Sequence, residues 1–204
     1  MGYTAIIDYG VGNLKSVSNA LAYLGVDSEI TGDPCRLELA DAIILPGVGA
    51  FPDAADKLRE SGLEQVLLRQ AGNKPILGIC LGMQLLFQWG EEGRRCEGLG
   101  LIPGGVRRIE TDLKLPHIGW NSLTFPRPSP LFRGLDEGCC VYFVHSFCGH
   151  TEDPDQEAAV TDYGGPVLAA VQDAARGVFG CQFHPEKSGE TGLAILQNFA
   201  ALNR

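Results

Sequence analysis

The sequence predicts an α/β protein: a mostly parallel sheet with helices on both faces, plus an antiparallel extension. Two observations carry this. From Tyr3 to Trp89, uninterrupted apolar runs alternate with segments whose apolar residues recur at helical spacing. That is the pattern of βαβ units with strands buried on both sides. From Gly98 to Val171 the runs shorten and are broken by Gly and Pro, which reads as antiparallel strands and hairpins.

Tyr3 to Ile7 reads as a strand and Gly10-Val11-Gly12-Asn13 as a turn. Leu14, Val17, Ala20, Leu21 and Leu24 follow at helical spacing, with Gly25 as the stop. Ser28 to Thr31 is a second strand. Ala42 to Leu45 is a short apolar strand ending at Pro46-Gly47-Val48-Gly49. Phe51 to Gln70 reads as one helix, with Phe51, Ala54, Leu58, Leu63, Val66 and Leu67 mostly on one side. A strand runs into Cys80, and Met83 to Trp89 reads as a helix. Gly104-Gly105, Pro126-Arg127-Pro128 and Gly164-Gly165-Pro166 punctuate the second half. Gly177 to Phe183 is a closing strand, and Leu193, Leu196, Phe199 and Leu202 form one stripe of a terminal helix. No repeat, low-complexity stretch or linker divides the chain, so residues 1–204 are expected to form one domain.

The chain is 45% hydrophobic, enough for a sizeable core. A net charge of −9 argues against a nucleic-acid face or docking on an anionic membrane, although a local basic patch for a small phosphorylated ligand stays open. No apolar run reaches the roughly 18 residues of a membrane span. The N-terminal Met1–Asp8 lacks the basic and long apolar regions of a signal peptide, so a cytoplasmic protein is expected. Seven cysteines, with no Cys-x-x-Cys, suit neither a disulfide framework nor structural zinc. Cys148 and His150 are the one metal-like local pair, and a short surface loop accounts for them. No metal or cofactor is expected.

The most informative stretch is Gly78-Ile79-Cys80-Leu81-Gly82, where an apolar run ends abruptly before a helical pattern. This is the layout of a nucleophile elbow, a strained turn between a buried strand and a helix. The glycines remove side chains where strand and helix crowd the turn. The helix N-terminus favours a thiolate and leaves backbone N–H groups for an oxyanion. By itself the stretch reads equally as a buried cysteine at a strand end.

A thiol nucleophile needs a base, and the base an orienting group. Four histidines exist, at 117, 145, 150 and 184. His184 lies in Phe183-His184-Pro185-Glu186, where a strand ends, and sites in parallel sheets gather at such ends. Glu186 is close enough to reach the far imidazole nitrogen. Cys80, His184 and Glu186 thus form a candidate Cys-His-Glu triad suited to acyl transfer, with protease, amidase and thioesterase open. Cys181 competes as nucleophile, but strand alternation puts Gln182 and His184 on one face and Cys181 on the other, in the core. Leu81 N–H is one oxyanion donor. Pro46-Gly47-Val48-Gly49-Ala50-Phe51 is the candidate source of a second, and reads as readily as a plain loop.

These motifs resemble the class I, triad-type glutamine amidotransferase family, whose fold is flavodoxin-like. Further stretches are similar to one branch, the glutaminase subunits of imidazole glycerol phosphate synthases. They are Asp8-Tyr9-Gly10-Val11-Gly12-Asn13-Leu14, Leu45-Pro46-Gly47-Val48-Gly49, Pro116-His117-Ile118-Gly119-Trp120-Asn121, Tyr142-Phe143-Val144-His145-Ser146-Phe147 and His184-Pro185-Glu186-Lys187-Ser188-Gly189. The match runs from Asp8 to the terminal helix. Pro-Gly-Val-Gly replaces the Gly-Gly-Pro of many relatives, and Gln88-Trp89-Gly90 departs from the common acidic and small residues.

The resemblance implies that Cys80 attacks the side-chain amide of glutamine. His184 then protonates the departing ammonia and activates water, and Glu186 orients His184. It implies oxyanion donors at Leu81 and, after a loop rearrangement, at Val48 or Gly49. It places glutamine contacts at Gln84, Glu92, Ser146 and Phe147. Asn13, Trp120, Tyr142 and Lys187 match positions at or near a subunit interface. The implied partner is a (β/α)8-barrel synthase subunit, in a heterodimer. There ammonia reacts with an aminoimidazole-carboxamide ribonucleotide precursor to give imidazole glycerol phosphate and AICAR, in histidine biosynthesis. One glutaminase domain accounts for the chain, so the ammonia-consuming chemistry is expected on that partner. The glycine loop then suggests gating: a peptide held with its N–H turned away until the liganded partner shifts it.

Three rivals follow from the same residues. The glutaminase subunit of another synthase, such as pyridoxal phosphate synthase, is opposed by the Pro-His-Ile-Gly-Trp-Asn and Lys-Ser-Gly stretches. A peptidase or thiol sensor would act without a partner. A structural subunit would have lost the triad. Packing is expected to explain Cys139 and Cys140. Cys35 and Cys96 sit in loop-like polar surroundings, residues 152–157 read as a solvated turn, and His117 suits either an interface or simple filling.

Overall fold

The computed structural model describes residues 2–203. Along the chain run β1 (Thr4–Ile7), α1 (Leu14–Tyr23), β2 (Ser28–Thr31), α2 (Pro34–Leu39), β3 (Ala42–Gly47), α3 (Phe51–Glu60), α4 (Leu63–Gln70), β4 (Ile76–Cys80) and α5 (Leu81–Leu85). Then come β5 (Phe87–Gly90), β6 (Cys96–Glu97), β7 (Ile102–Arg108), β8 (His117–Ser122), β9 (Cys140–His145), β10 (Phe147–Thr151), β11 (Glu157–Asp162), β12 (Pro166–Asp173), β13 (Val178–Cys181) and α6 (Gly189–Ala200).

The main sheet has the order β11-β12-β13-β4-β3-β1-β2. Its β2, β1, β3, β4 and β13 are parallel, and β12 and β11 extend it antiparallel. A second sheet, β10-β7-β5-β6, and the antiparallel pair β8–β9 complete the architecture. Within the second sheet β5 and β7 pair in parallel, an exception to the antiparallel expectation for this half.

Strand alternation divides the core. Ile6, Ile44, Leu77 and Ile79 face Val17 and Leu21 of α1 and Ile195, Leu196 and Phe199 of α6. Ile7, Ile43, Leu45 and Ile76 belong to the opposite face, with Leu37 of α2, Leu58 of α3 and Leu63, Val66 and Leu67 of α4. Burying one such side chain is worth roughly 1.5–3 kcal/mol. Ordinary residues differ in helix propensity by less than about 1 kcal/mol. Packing therefore wins where the two disagree.

They disagree within Met83 to Trp89, which is helical only as far as Leu85. α5 stops at Leu85, and Phe87–Gly90 is a strand. Phe87 is fully buried against Gly149, where a Cβ would come within 2.3 Å of its ring, and Trp89 lies over Gly105 in the same way. Two aromatic rings seated on bare glycine backbone hold this segment extended. Phe51 to Gln70 is likewise two helices. Gly62, at φ +74°, breaks the run, and Ser61 Oγ donates to the Leu58 carbonyl at 2.8 Å.

The helix α2 has no counterpart in the sequence reading, although its signals are local. Asp33 accepts the Cys35 N–H at 2.9 Å as N-cap, and Pro34 opens the first turn. Several cysteines also depart from expectation. Cys35 is exposed on α2 rather than in a loop, and Cys96 is buried on β6. Cys140 is exposed, so packing accounts only for its partly buried neighbour Cys139. Cys148 and His150 lie on strand β10, not in a loop.

Candidate active site

β3, β4 and β13 are adjacent and parallel, so their carboxyl ends open on one edge of the sheet. In register, Gly47 pairs with Cys80 and Cys181 with Ile79. Topology alone therefore delivers the Pro46–Gly49 loop, Cys80 and the segment Gln182–Glu186 to the same place.

Cys80 is the one non-glycine residue among the described residues with positive φ, at +55°. That conformation is costly for an L-residue and marks a sharp strand-to-helix turn. The flanking glycines make it possible. A Cβ on Gly78 would lie 2.6 Å from the Gly82 carbonyl oxygen, and one on Gly82 would lie 1.8 Å from the Leu45 carbonyl oxygen. Leu81 opens α5, so its N–H has no acceptor within the helix.

His184 follows β13 and is buried. Its Nδ1 lies 2.8 Å from Glu186 Oε1, and its other edge bonds Cys80. Burial pulls the imidazole pKa down. The hydrogen bonds to Cys80 and Glu186, with their negative charges, outweigh this and raise it to about 9. Glu186 Oε2 is buried without a partner among the described residues, which leaves the carboxylate charge directed at the imidazole. Cys181, the rival thiol, is fully buried, and burial drives its pKa upward. It lies in the core as alternation predicts.

Cys80 and His184 open on a cleft of about 350 Å³. Val48, Gly49, Leu81, Gln84, Glu92, Ser146 and Phe147 all line it with Cys80 and His184. Val48 is 43% exposed, and Gly49 has φ +95° with open space where a Cβ would sit. Neither residue's N–H has a hydrogen-bond acceptor among the described residues. The buried Tyr9 hydroxyl donates to the Pro46 carbonyl at 3.0 Å and pins the stem of this loop. Glu92 Oε2 accepts the N–H of Phe51 at 2.8 Å, so its carboxylate caps α3 directly after the loop.

Gln84 uses its amide internally. Nε2 donates to the Phe147 carbonyl and to Gln182 Oε1, both at 2.9 Å. Gln182 Nε2 in turn lies 3.9 Å from Cys80 Sγ. Gln182 and Tyr9 are site-shaping residues that the motif reading did not single out. Alternation placed Gln182 on the face of His184, which was signal enough. Nothing local marks Tyr9, whose partner is distant in sequence.

The four candidate interface residues lie toward the same edge. Trp120 is 56% exposed and pairs across the strands with Tyr142, ring centroids 6.0 Å apart. Lys187 lines the cleft, and Asn13 precedes α1, which packs beside the Pro185–Lys187 turn. His117 is fully buried, stacked between Phe143 and Tyr163 and bonded to His145 at 3.1 Å, so it fills the interior rather than a surface. Burial lowers the His145 pKa to about 4.

The glutamine amidotransferase class-I family model matches residues 5–202. The chain is 50% identical, over 97% of both chains, to the imidazole glycerol phosphate synthase subunit HisH of Caldanaerobacter subterraneus subsp. tengcongensis. It is 51% identical to the subunit of that name from Bacillus cereus, over 96% of this chain and 92% of that one. Among solved structures, PurLQS from Thermotoga maritima has a chain that superposes with a TM-score of 0.80 at 22% identity, covering 100% of this chain and 99% of that one, which bears on the fold.

Proposed function

The chain belongs to the class-I glutamine amidotransferase family, and from that premise we propose that it is the glutaminase subunit of an imidazole glycerol phosphate synthase, serving histidine biosynthesis. One observation carries the chemistry. Cys80 and His184 meet on a cleft beside unpaired backbone N–H groups, and Glu186 bonds His184 from behind. The name comes from relatives half identical along almost the whole chain. The pyridoxal phosphate alternative has no such support.

In this reading Cys80 Sγ attacks the side-chain carbonyl carbon of glutamine. The N–H groups of Leu81 and of Val48 or Gly49 hold the oxyanion. The C–N bond breaks as His184 passes its proton to the leaving nitrogen, releasing ammonia and a glutamyl thioester. Neutral His184 then takes a proton from water, which attacks the thioester and releases glutamate. Glu186 keeps the imidazole oriented throughout. Gln84, Glu92, Ser146 and Phe147 hold the substrate. Ammonia passes to a (β/α)8-barrel partner docked on the face of Asn13, Trp120, Tyr142 and Lys187. That partner makes imidazole glycerol phosphate and AICAR. A cytoplasmic location suits this role, and no described helix is long and apolar enough to cross a membrane.

Ammonia release from glutamine tests the reading, measured for wild type and Cys80→Ala, with and without the barrel subunit bearing its nucleotide. We expect slow release by the chain alone and roughly tenfold or greater stimulation by the liganded partner. Cys80→Ala should release nothing in any condition while still assembling. Persistent release by the variant would refute the nucleophile, and equal rates with and without partner would exclude gating.

A further inference from the structure

Ser188 occupies the N-cap position of α6, where a serine side chain ordinarily accepts an N–H from the first turn. Here it makes no capping bond. Its hydroxyl, on a residue 2% exposed, turns the other way. It donates to the carbonyl of His184 at 2.6 Å and accepts the N–H of Tyr142 at 2.9 Å. The N–H of His184 donates to the Tyr142 carbonyl at 3.0 Å. These bonds close a ring between the backbone of the imidazole-bearing residue and the middle of β9.

The ring matters because the segment has few other anchors. β13 ends at Cys181, and Pro185 has no N–H to give. Glu186 fixes the imidazole ring but lies on the same short turn, so it moves with His184. Among the described residues, the hydrogen bonds that tie the His184 backbone to β9 run through Ser188 and Tyr142, beside the packing of Phe183 on Phe143. On the far side, Tyr142 packs edge-on against the exposed Trp120.

We propose that Ser188 is a positioning residue that holds His184 against Cys80 and makes the Trp120–Tyr142 face part of the mount of the catalytic base. The first half stands on the ring alone. The second rests on the reading of that face as the partner's docking surface. Without the hydroxyl, the Tyr142 N–H loses its partner in a part-buried place, and β9 and the His184 turn separate to relieve it. A misplacement of about 1 Å at a reacting group can cost up to about 10²-fold in rate.

Ser188→Thr and Ser188→Val test this, because they add the same β-branch and differ only in the hydroxyl. In the full chain, the rate of Cys80 alkylation by iodoacetamide is followed from about pH 6 to 10. Ser188→Thr should keep the inflection near pH 9 that reports His184. Ser188→Val should move it down by about half a pH unit or more, as the bonds that raise the imidazole pKa loosen. With the liganded partner, kcat of Ser188→Val should fall roughly tenfold while KM for glutamine stays within about twofold. Superimposable Thr and Val profiles would overturn the positioning role. Trp120→Ala should slow partner-stimulated turnover less in the Val background than in wild type. Strict additivity would overturn the link to β9's outer face. Absence of any partner stimulation would count against the proposed function instead, since the alkylation arm needs no partner.

Discussion

Cys80–His184 and Cys148–His150 pair the same two side chains in two regions of the molecule, with opposite electrostatic outcomes. Cys148 Sγ lies 3.4 Å from His150 Nε2 on a single strand, and Glu110 acts on both by charge. Burial, with Glu110 adding to it, pushes the Cys148 thiol up to about 12, and burial with Arg107 pushes His150 down. The proton stays on sulfur. At the other pair, burial works against the imidazolium too, yet His184 rises to about 9. The difference is a carboxylate bonded directly to the imidazole at 2.8 Å, and a cleft instead of a filled patch beside Ile109 and Val167. Nearness of thiol and imidazole is thus insufficient. Activation needs a third group in contact and room for a substrate.

The largest test of that contrast is selective labelling. With a glutamine-like electrophile at about pH 8, Cys80 should react on the order of 10³-fold faster than Cys148, whose thiolate fraction is minute. Comparable labelling would erase the distinction. Next, Glu186→Gln should lower kcat by roughly 10²- to 10⁴-fold, as expected when the orienting carboxylate of a triad is lost. Wild-type turnover should fall as pH rises through about 9, where His184 gives up the proton that the proposed mechanism assigns to the leaving ammonia. In Glu186→Gln a contribution that raises this pKa is gone, so the alkaline limb should move to lower pH. A limb fixed near 9 would detach it from His184. The smallest effect belongs to the inert pair. Cys148→Ala should leave glutamine hydrolysis within about twofold and cost about 1–2 kcal/mol of stability. Its thermal midpoint should fall by a few degrees, and a large loss of turnover would give this pair a role it has not been assigned.

The elbow was legible because its constraints are local. Gly78, Cys80 and Gly82 sit together in sequence, and each glycine answers to an atom a few residues or one strand away. His184 and Glu186 were legible for the same reason, since a strand end, a proline and a carboxylate fall within one short turn. The strand Phe87–Gly90 was not, because the glycines that receive its rings, Gly149 and Gly105, come later in the chain and are unremarkable there. The break at Gly62 was signalled by the glycine itself, but apolar periodicity continued across it. Tyr9 was hidden because its hydroxyl has meaning only once β1 and β3 are neighbours. Gln182 was half visible: alternation gave its face, while its bond to Gln84 required the fold.

β13 lies between β12 and β4 rather than at an edge of the sheet. Cys80 is translated well before His184, by roughly 5–20 s at usual elongation rates. Throughout that interval the sulfur lacks its proton partner, and β4 stands open on the side β13 will fill. The strand order thereby sets a sequence of assembly: the edge of β4 that carries the elbow is completed only when a strand made about a hundred residues later inserts between it and β12.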